Sequence, residues 1–207
     1  MHMRFLTTFA AVAALGASTF AAAPPVPRPA TPLEISDPSG SHYQLSNYKG
    51  KVVVVQFLFT TCPHCQAYSA LLSKLQTEYG PRGFQAFGVA FNEEANANTI
   101  RAYQAQNHVN FPIGVAAPTP TPRDTVLNFM KFSAIMRLVV PQVALIDRKG
   151  VIIEQTEQDP QNAAPLQEEP HLRAAIEKAL GPASGPATTK KAPAAPKKAD
   201  TSKKPAS

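Results

Sequence analysis

Between Leu33 and Leu180 the spacing of apolar and polar positions changes several times, and each change predicts an element. In "KVVVVQFLF", Lys51 to Phe59, Gln56 is the single polar residue after the lysine. An apolar run of this length, preceded by Lys49-Gly50, predicts a strand buried on both faces, as in a parallel sheet. After Cys62 the period lengthens. Tyr68, Leu71, Leu72, Leu75 and Tyr79 recur at helical spacing as one apolar stripe, and Gly80-Pro81 supplies a stop signal. "FQAFGVAF", Phe84 to Phe91, predicts a second buried strand. Strand, helix and strand of these lengths predict a right-handed βαβ unit.

The later patterns are shorter. A helix is predicted over Asn98 to Asn107 with Ile100 and Tyr103 inward, then a short extended piece over Phe111 to Val115. "APTPTPRD" is a proline-spaced loop whose Asp124 is the expected N-cap of a helix over Thr125 to Phe132. Gln142 to Ile146 and Val151 to Gln155 flank an Asp-Arg-Lys-Gly turn, which predicts an antiparallel hairpin. A last helix runs from Pro170 to Leu180 with Gly181 at its end. Leu33 to Ile35 and His42 to Leu45 are expected to pair as an N-terminal hairpin. No internal repeat or second domain is visible.

The ends differ in kind from this domain. Met1 to Ala23 reads as a secretory signal: Arg4 opens it, Phe5 to Phe20 is almost wholly apolar or small, and Thr19-Phe20-Ala21 offers a cleavage site. The apolar run is short for a membrane span, although an uncleaved signal would serve as an N-terminal anchor. No cysteine stands there to carry a lipid. "PPVPRPATP", residues 24–32, holds five prolines and predicts a stiff extended spacer. Apart from Gly181, Gly185 and Asp200, residues 181–207 are Ala, Pro, Lys, Ser and Thr without a large apolar side chain, a composition expected to be disordered.

Charge sharpens this division. The chain carries a formal +6, of which the six lysines and Asp200 of the tail supply +5 and Arg4 the remaining +1. Residues 22–180 are therefore neutral overall. A neutral exported domain lacks the basic face that nucleic-acid binding requires. The lysine tail is expected to act as a solubilising end, with at most weak electrostatic attraction to an anionic envelope surface.

Only two cysteines occur, in "TTCPHCQAY" at Cys62 and Cys65. A structural zinc needs four ligands, and one C-x-x-C supplies two, while His42, His108 and His171 stand isolated in the sequence. A disulfide over four residues removes little loop entropy, which weakens a stapling role. A redox couple fits the context better. Cys62 follows a buried strand and opens a long helix, where backbone N–H groups and the helix dipole favour thiolate over thiol. Pro63 at the helix start forfeits no hydrogen bond. Cys65, one turn on, is placed to resolve a mixed disulfide on Cys62. The signal places the pair in a compartment where such exchange is useful.

"LSNYKGKVVVVQFLFTTCPHC", the helix after it, "VPQVALIDRKGVI" and the terminal helix together resemble the thioredoxin-fold superfamily, in its exported redoxin, TlpA-like branch. The resemblance spans Leu33 to Leu180. It implies an α/β fold: a central mixed β-sheet flanked by helices on both faces, with an N-terminal β-hairpin. It implies a thiol-disulfide oxidoreductase of the periplasm or cell envelope with catalytic Cys62 and Cys65 and no cofactor beyond that pair. Its partners would be protein thiols and disulfides and an upstream redox protein. By the same resemblance Pro141 is a cis-proline facing the cysteines, and Val140 offers backbone groups to an extended substrate. Pro63, His64 and Gln56 would tune the site. The chain departs from the pattern in three places: it has no Trp before Cys62, Gln56 stands where thioredoxins carry a buried Asp, and Val140 precedes the proline as in disulfide oxidases. The Pro63-His64 pair and Val140 point to disulfide donation, whereas the layout points to a reductase. Two alternatives use the same cysteines. A peroxiredoxin-like peroxide reductase would need the Pro-x-x-x-Thr-x-x-Cys pattern, where this chain has Val55 and Phe59; a copper or metallochaperone role would borrow a histidine from elsewhere.

Overall fold

The computed structural model describes residues 26–116, 121–135, 137–158 and 165–182. The expected signal, Pro24 and Pro25, and nearly all of the lysine-bearing tail lie outside these residues. Among them no helix is long and apolar enough to cross a membrane.

In chain order the elements are β1 (Arg28–Pro29), β2 (Glu34–Ser36), β3 (His42–Gln44), β4 (Val52–Leu58), α1 (Pro63–Tyr79), β5 (Phe84–Ala90), α2 (Ala97–Gln106), β6 (Ile113–Ala116), α3 (Pro122–Met130), β7 (Gln142–Ile146), β8 (Val151–Gln155) and α4 (Glu169–Leu180). The strands form one mixed sheet in the order β1-β8-β7-β4-β5-β6-β2-β3. The pairs β4–β5 and β5–β6 are parallel, and β7 runs antiparallel to β4. β4 is central, and all seven of its residues are buried.

Alternation along β4 divides the interior in two. Val52, Val54 and Leu58 pack with Tyr68, Leu72 and Leu75 of α1, Ile100 and Tyr103 of α2, and Leu172 and Ile176 of α4. Val53, Val55 and Phe57 face the opposite way, against Val126, Phe129 and Met130 of α3 and against Leu33 and Ile35. Helices thus cover both faces of a mixed sheet with an N-terminal hairpin, the thioredoxin-like arrangement expected. Gln56 has the parity of Val54 and Leu58 and so lies under α1.

Several sequence expectations are corrected. Arg28 and Pro29 pair with Ile152 and Val151, so the end of the proline-rich segment is an edge strand of the sheet and not a spacer. Proline is tolerated on an edge because no further strand needs its missing N–H. The cap of α3 is Thr121, which accepts from the Asp124 N–H, and Pro122 occupies the first turn. Leu71, assigned to the inward stripe of α1, is only half-buried. After Tyr79 the chain continues through a 3-10 turn, Gly80–Arg82, to Gly83 at φ 96°, so Gly83 makes the left-handed reversal. Asp147 of the predicted turn accepts from the N–H groups of Lys149 and Val151 and so shapes the β7–β8 reversal.

Gly114 of β6 has a packing role that the sequence does not announce. A Cβ there would lie 2.3 Å from the Ser36 carbonyl oxygen, so the N-terminal hairpin can join β6 only because the side chain is missing. Gly114→Ala is expected to loosen this edge and lower stability by about 1–3 kcal/mol, as overpacking does. Chemical denaturation measures the loss, and hydrogen exchange should place it in β2, β3 and β6.

Candidate active site

The site is built where β4 ends and α1 begins. Cys62 is the N-cap of α1: its backbone is extended, and its Sγ accepts from the Cys65 N–H at 3.2 Å. One of the donors that a helix start leaves unpaired is therefore directed at this sulfur. Cys62 is half-buried, Pro63 and His64 are exposed, and Cys65 is wholly buried one turn inside the helix. Burial, reinforced by the neighbouring Cys62 sulfur, pushes the Cys65 thiol well above the ordinary thiol range. The two sulfurs thus have different access: one meets solvent, the other waits beneath it.

The loop before Cys62 is held from a distance. Thr60 N–H donates to Asn92 Oδ1 at 3.0 Å, and Asn92 Nδ2 returns a bond to Thr60 Oγ1 at 3.1 Å. Asn92 directly follows β5 and Phe91, so adjacent parallel strands fix the approach to the first cysteine.

Beneath Cys65 lies a polar group closed off from water. Gln56 Nε2 and the Tyr103 hydroxyl both donate to the Cys65 carbonyl, at 3.0 and 2.8 Å. Ser69 Oγ donates to Gln56 Oε1 at 2.7 Å and also lies 2.7 Å from the Tyr103 oxygen. The Ser69 and Tyr103 hydroxyls have two hydrogens for three close contacts, so at any instant one contact lacks a hydrogen. All three side chains are essentially fully buried. Such a network fixes the first turn of α1, and with it the depth of Cys65.

The Val140–Pro141 peptide, which is cis, also lines this region. The carbonyls on either side of Val140 are each engaged: Gln142 Nε2 donates to Val139 O at 2.9 Å, and Gln167 Nε2 to Pro141 O at 2.8 Å. Buried Gln142 is in turn held by the Thr156 hydroxyl at 2.5 Å. Val140 itself makes no backbone hydrogen bond among the described residues. Its N–H and C=O remain available.

Sequence reasoning missed Ser69, Tyr103, Asn92, Gln142 and Gln167. Ser69 carried a usable signal, a polar residue on the inward side of α1. Tyr103 was expected to face inward, but not its partner, the Cys65 carbonyl 38 residues away, and Gln167 carried no signal, since Pro141 is 26 residues away in the chain. Among the described residues no group of three or more His, Cys, Asp or Glu could hold a metal ion.

The redoxin family profile matches residues 22–176. The chain belongs to the redoxin family. Among solved structures, this redoxin resembles a thiol:disulfide interchange protein of the thioredoxin family from Chlorobium tepidum, with TM-score 0.59 and 22% identity over 77% of this chain and 100% of that one. It also resembles a thiol:disulfide interchange protein from Bacteroides sp., with TM-score 0.58 and 20% identity over 78% and 93% of the two chains. The thioredoxin domain of a Bacteroides vulgatus thiol-disulfide oxidoreductase gives TM-score 0.56 at 17% identity, over 72% and 96%. At these identities the likeness is one of fold. A curated relative, "Probable glutathione peroxidase 8-B" of Xenopus laevis, is 31% identical over 87 residues, and the match spans 41% of each protein.

Proposed function

We propose that this redoxin is an exported thiol-disulfide oxidoreductase acting on partner proteins through Cys62 and Cys65. One observation carries the reading: a half-exposed sulfur caps a helix one turn from a buried thiol. Cys62, as thiolate, attacks one sulfur of a partner disulfide and joins it; the partner's other sulfur leaves as thiolate. Cys65 then releases its proton to water and attacks Cys62 Sγ. The Cys62–Cys65 disulfide forms, and the partner's second sulfur departs. Two electrons pass from protein to partner, and the reverse sequence oxidises the partner. The direction in the envelope follows the potential of the couple relative to its partners. Val140 and Pro141 are read as the surface that receives the partner chain, and Pro63, His64 and Gln56 as groups that shape the cysteine loop. The signal-like N-terminus supports export, which N-terminal sequencing of the mature chain from an envelope fraction tests.

The buried second thiol gives this reading a kinetic test. With its ionisation pushed up by burial, Cys65 is a rising but minor thiolate through neutral pH. Resolution of a preformed mixed disulfide on Cys62 should therefore speed up about tenfold per pH unit from pH 6 to 9, without levelling. Rapid-quench alkylation reads this rate. Levelling at about pH 8.5–9 would show Cys65 ionising as a free thiol does and would contradict the two-depth arrangement.

The partial likeness to a glutathione peroxidase favours a second reading, peroxide reduction at Cys62. The positions that would carry the peroxiredoxin pattern are instead the buried Val55 and the half-buried Phe59, whose ring packs on Phe91 at a centroid distance of 4.6 Å. Hydrogen peroxide consumption faster than that of an ordinary thiol would support this reading over the first.

A further inference from the structure

Leu71 is the residue whose exposure departs from its helical pattern, and it lies in a groove. His64, Ala67, Leu71 and Lys74 form a stripe along α1 at i, i+3, i+7 and i+10, beside the core stripe of Tyr68, Leu72, Leu75 and Tyr79. This second stripe is one wall of a cavity of about 400 Å³. Pro141 and Tyr68 contribute to its lining next to the cysteine loop, and Gln167 and Glu169 form the wall opposite α1. The cleft therefore begins at the redox site and leads away from it along the helix.

The charges along this cleft are unequal. Glu169 accepts from Arg173 Nε at 2.9 Å, and Arg173 also binds Glu78 at 2.6 Å. Glu78, one turn beyond Lys74, is thus occupied by another cation. Lys74 is exposed and has no ion pair or hydrogen bond among the described residues. The apolar middle, Ala67 and Leu71, suits a side chain without charge, and the far end offers an unpaired cation.

We infer that this groove docks an extended segment of the partner polypeptide and selects an acidic side chain at Lys74. The inference rests on the oxidoreductase reading for the partner's presence and adds what distinguishes one partner from another. Ten helical residues separate His64 from Lys74, which spans about 15 Å. An extended chain covers that distance in roughly four or five residues. The selected acid should therefore stand four or five positions from the partner's reacting cysteine, with an apolar residue between them over Leu71. Lys74 is a specificity-determining residue in this scheme, since it lies too far from the sulfurs to take part in exchange.

The test uses the full chain, reduced, and two peptides. Each peptide has a central cysteine capped as a disulfide with 2-mercaptoethanol. One has glutamate at the fourth and fifth positions on both sides, the other lysine. The glutamate peptide should exchange at least about threefold faster at low ionic strength, the size of one or two exposed charge pairs, and the preference should shrink in salt. Lys74→Glu should reverse the ratio, whereas Lys149→Glu, an equal charge change at the β7–β8 turn, should preserve it. Equal rates for the two peptides would overturn the inference. So would Lys149→Glu abolishing the preference as fully as Lys74→Glu, because net charge and the lysine tail would then explain it. Amide chemical shifts give a readout independent of redox chemistry: a serine version of the glutamate peptide should perturb Ala67, Leu71 and Lys74. Shifts confined elsewhere would count against the groove even if exchange proceeds. If those shifts appear but wild-type protein fails to exchange with a small aromatic disulfide, the docking site stands and the oxidoreductase reading falls.

Discussion

Cys65→Ser is expected to leave the chain covalently joined to its partners. Cys62 is half-exposed at the helix start and can still attack a disulfide. The only group placed to displace the partner is then a hydroxyl, which does not perform thiol exchange at neutral pH. Mixed disulfides should accumulate and be released by dithiothreitol on a non-reducing gel. Cys62→Ser should behave in the opposite way, with exchange falling to the uncatalysed background and no adducts, because Cys65 is wholly buried. The asymmetry follows from depth. Symmetric adduct formation by the two variants would mean that the first turn of α1 opens readily, against the hydrogen bonds that close it.

Gln56→Glu should turn a pH-insensitive core into a pH-sensitive one. The two side chains are nearly isosteric, and a protonated carboxyl could still donate to the Cys65 carbonyl and accept from Ser69. Ionised, it would be a bare charge at a fully buried position with no cation near it among the residues that bond Gln56. Burial raises a carboxyl's folded pKa above its unfolded value of about 4.3. The folded state then binds more protons than the unfolded one, so stability falls as pH rises above the unfolded value. The variant should match wild type near pH 4 and lose about 3–4 kcal/mol relative to it by pH 7 if the folded pKa lies at or above 7, at about 1.36 kcal/mol per pH unit. Urea denaturation at a series of pH values measures this. A constant difference across that range would show that the Gln56 pocket admits water or a counter-charge.

Reading the chain alone went furthest where structure is local. The β4 run, the α1 stripe and the β7–β8 hairpin were legible because strands and helices print their periods of 2 and 3.6 directly into the order of apolar residues. Capping was less legible. Thr121 and Asp124 are both good caps, and only the observed turn selects the threonine. Leu71 satisfied the helical pattern and still faced the groove, since periodicity places a residue on a sector of the helix and the neighbours decide whether that sector is covered.

What the order of residues determined by itself was the location of the chemistry: a cysteine pair between a buried strand and an amphipathic helix, in a neutral domain with atypical ends. Tertiary packing decided the rest. It set Gln56, Ser69 and Tyr103 under the Cys65 carbonyl, brought Gln167 to Pro141 and Gln142 to Val139, and left Lys74 unpaired at the end of a cleft that begins at His64. These contacts join positions distant in the chain, and a hydrogen bond between distant positions depends on distance and direction in space. Neither is written in composition or period.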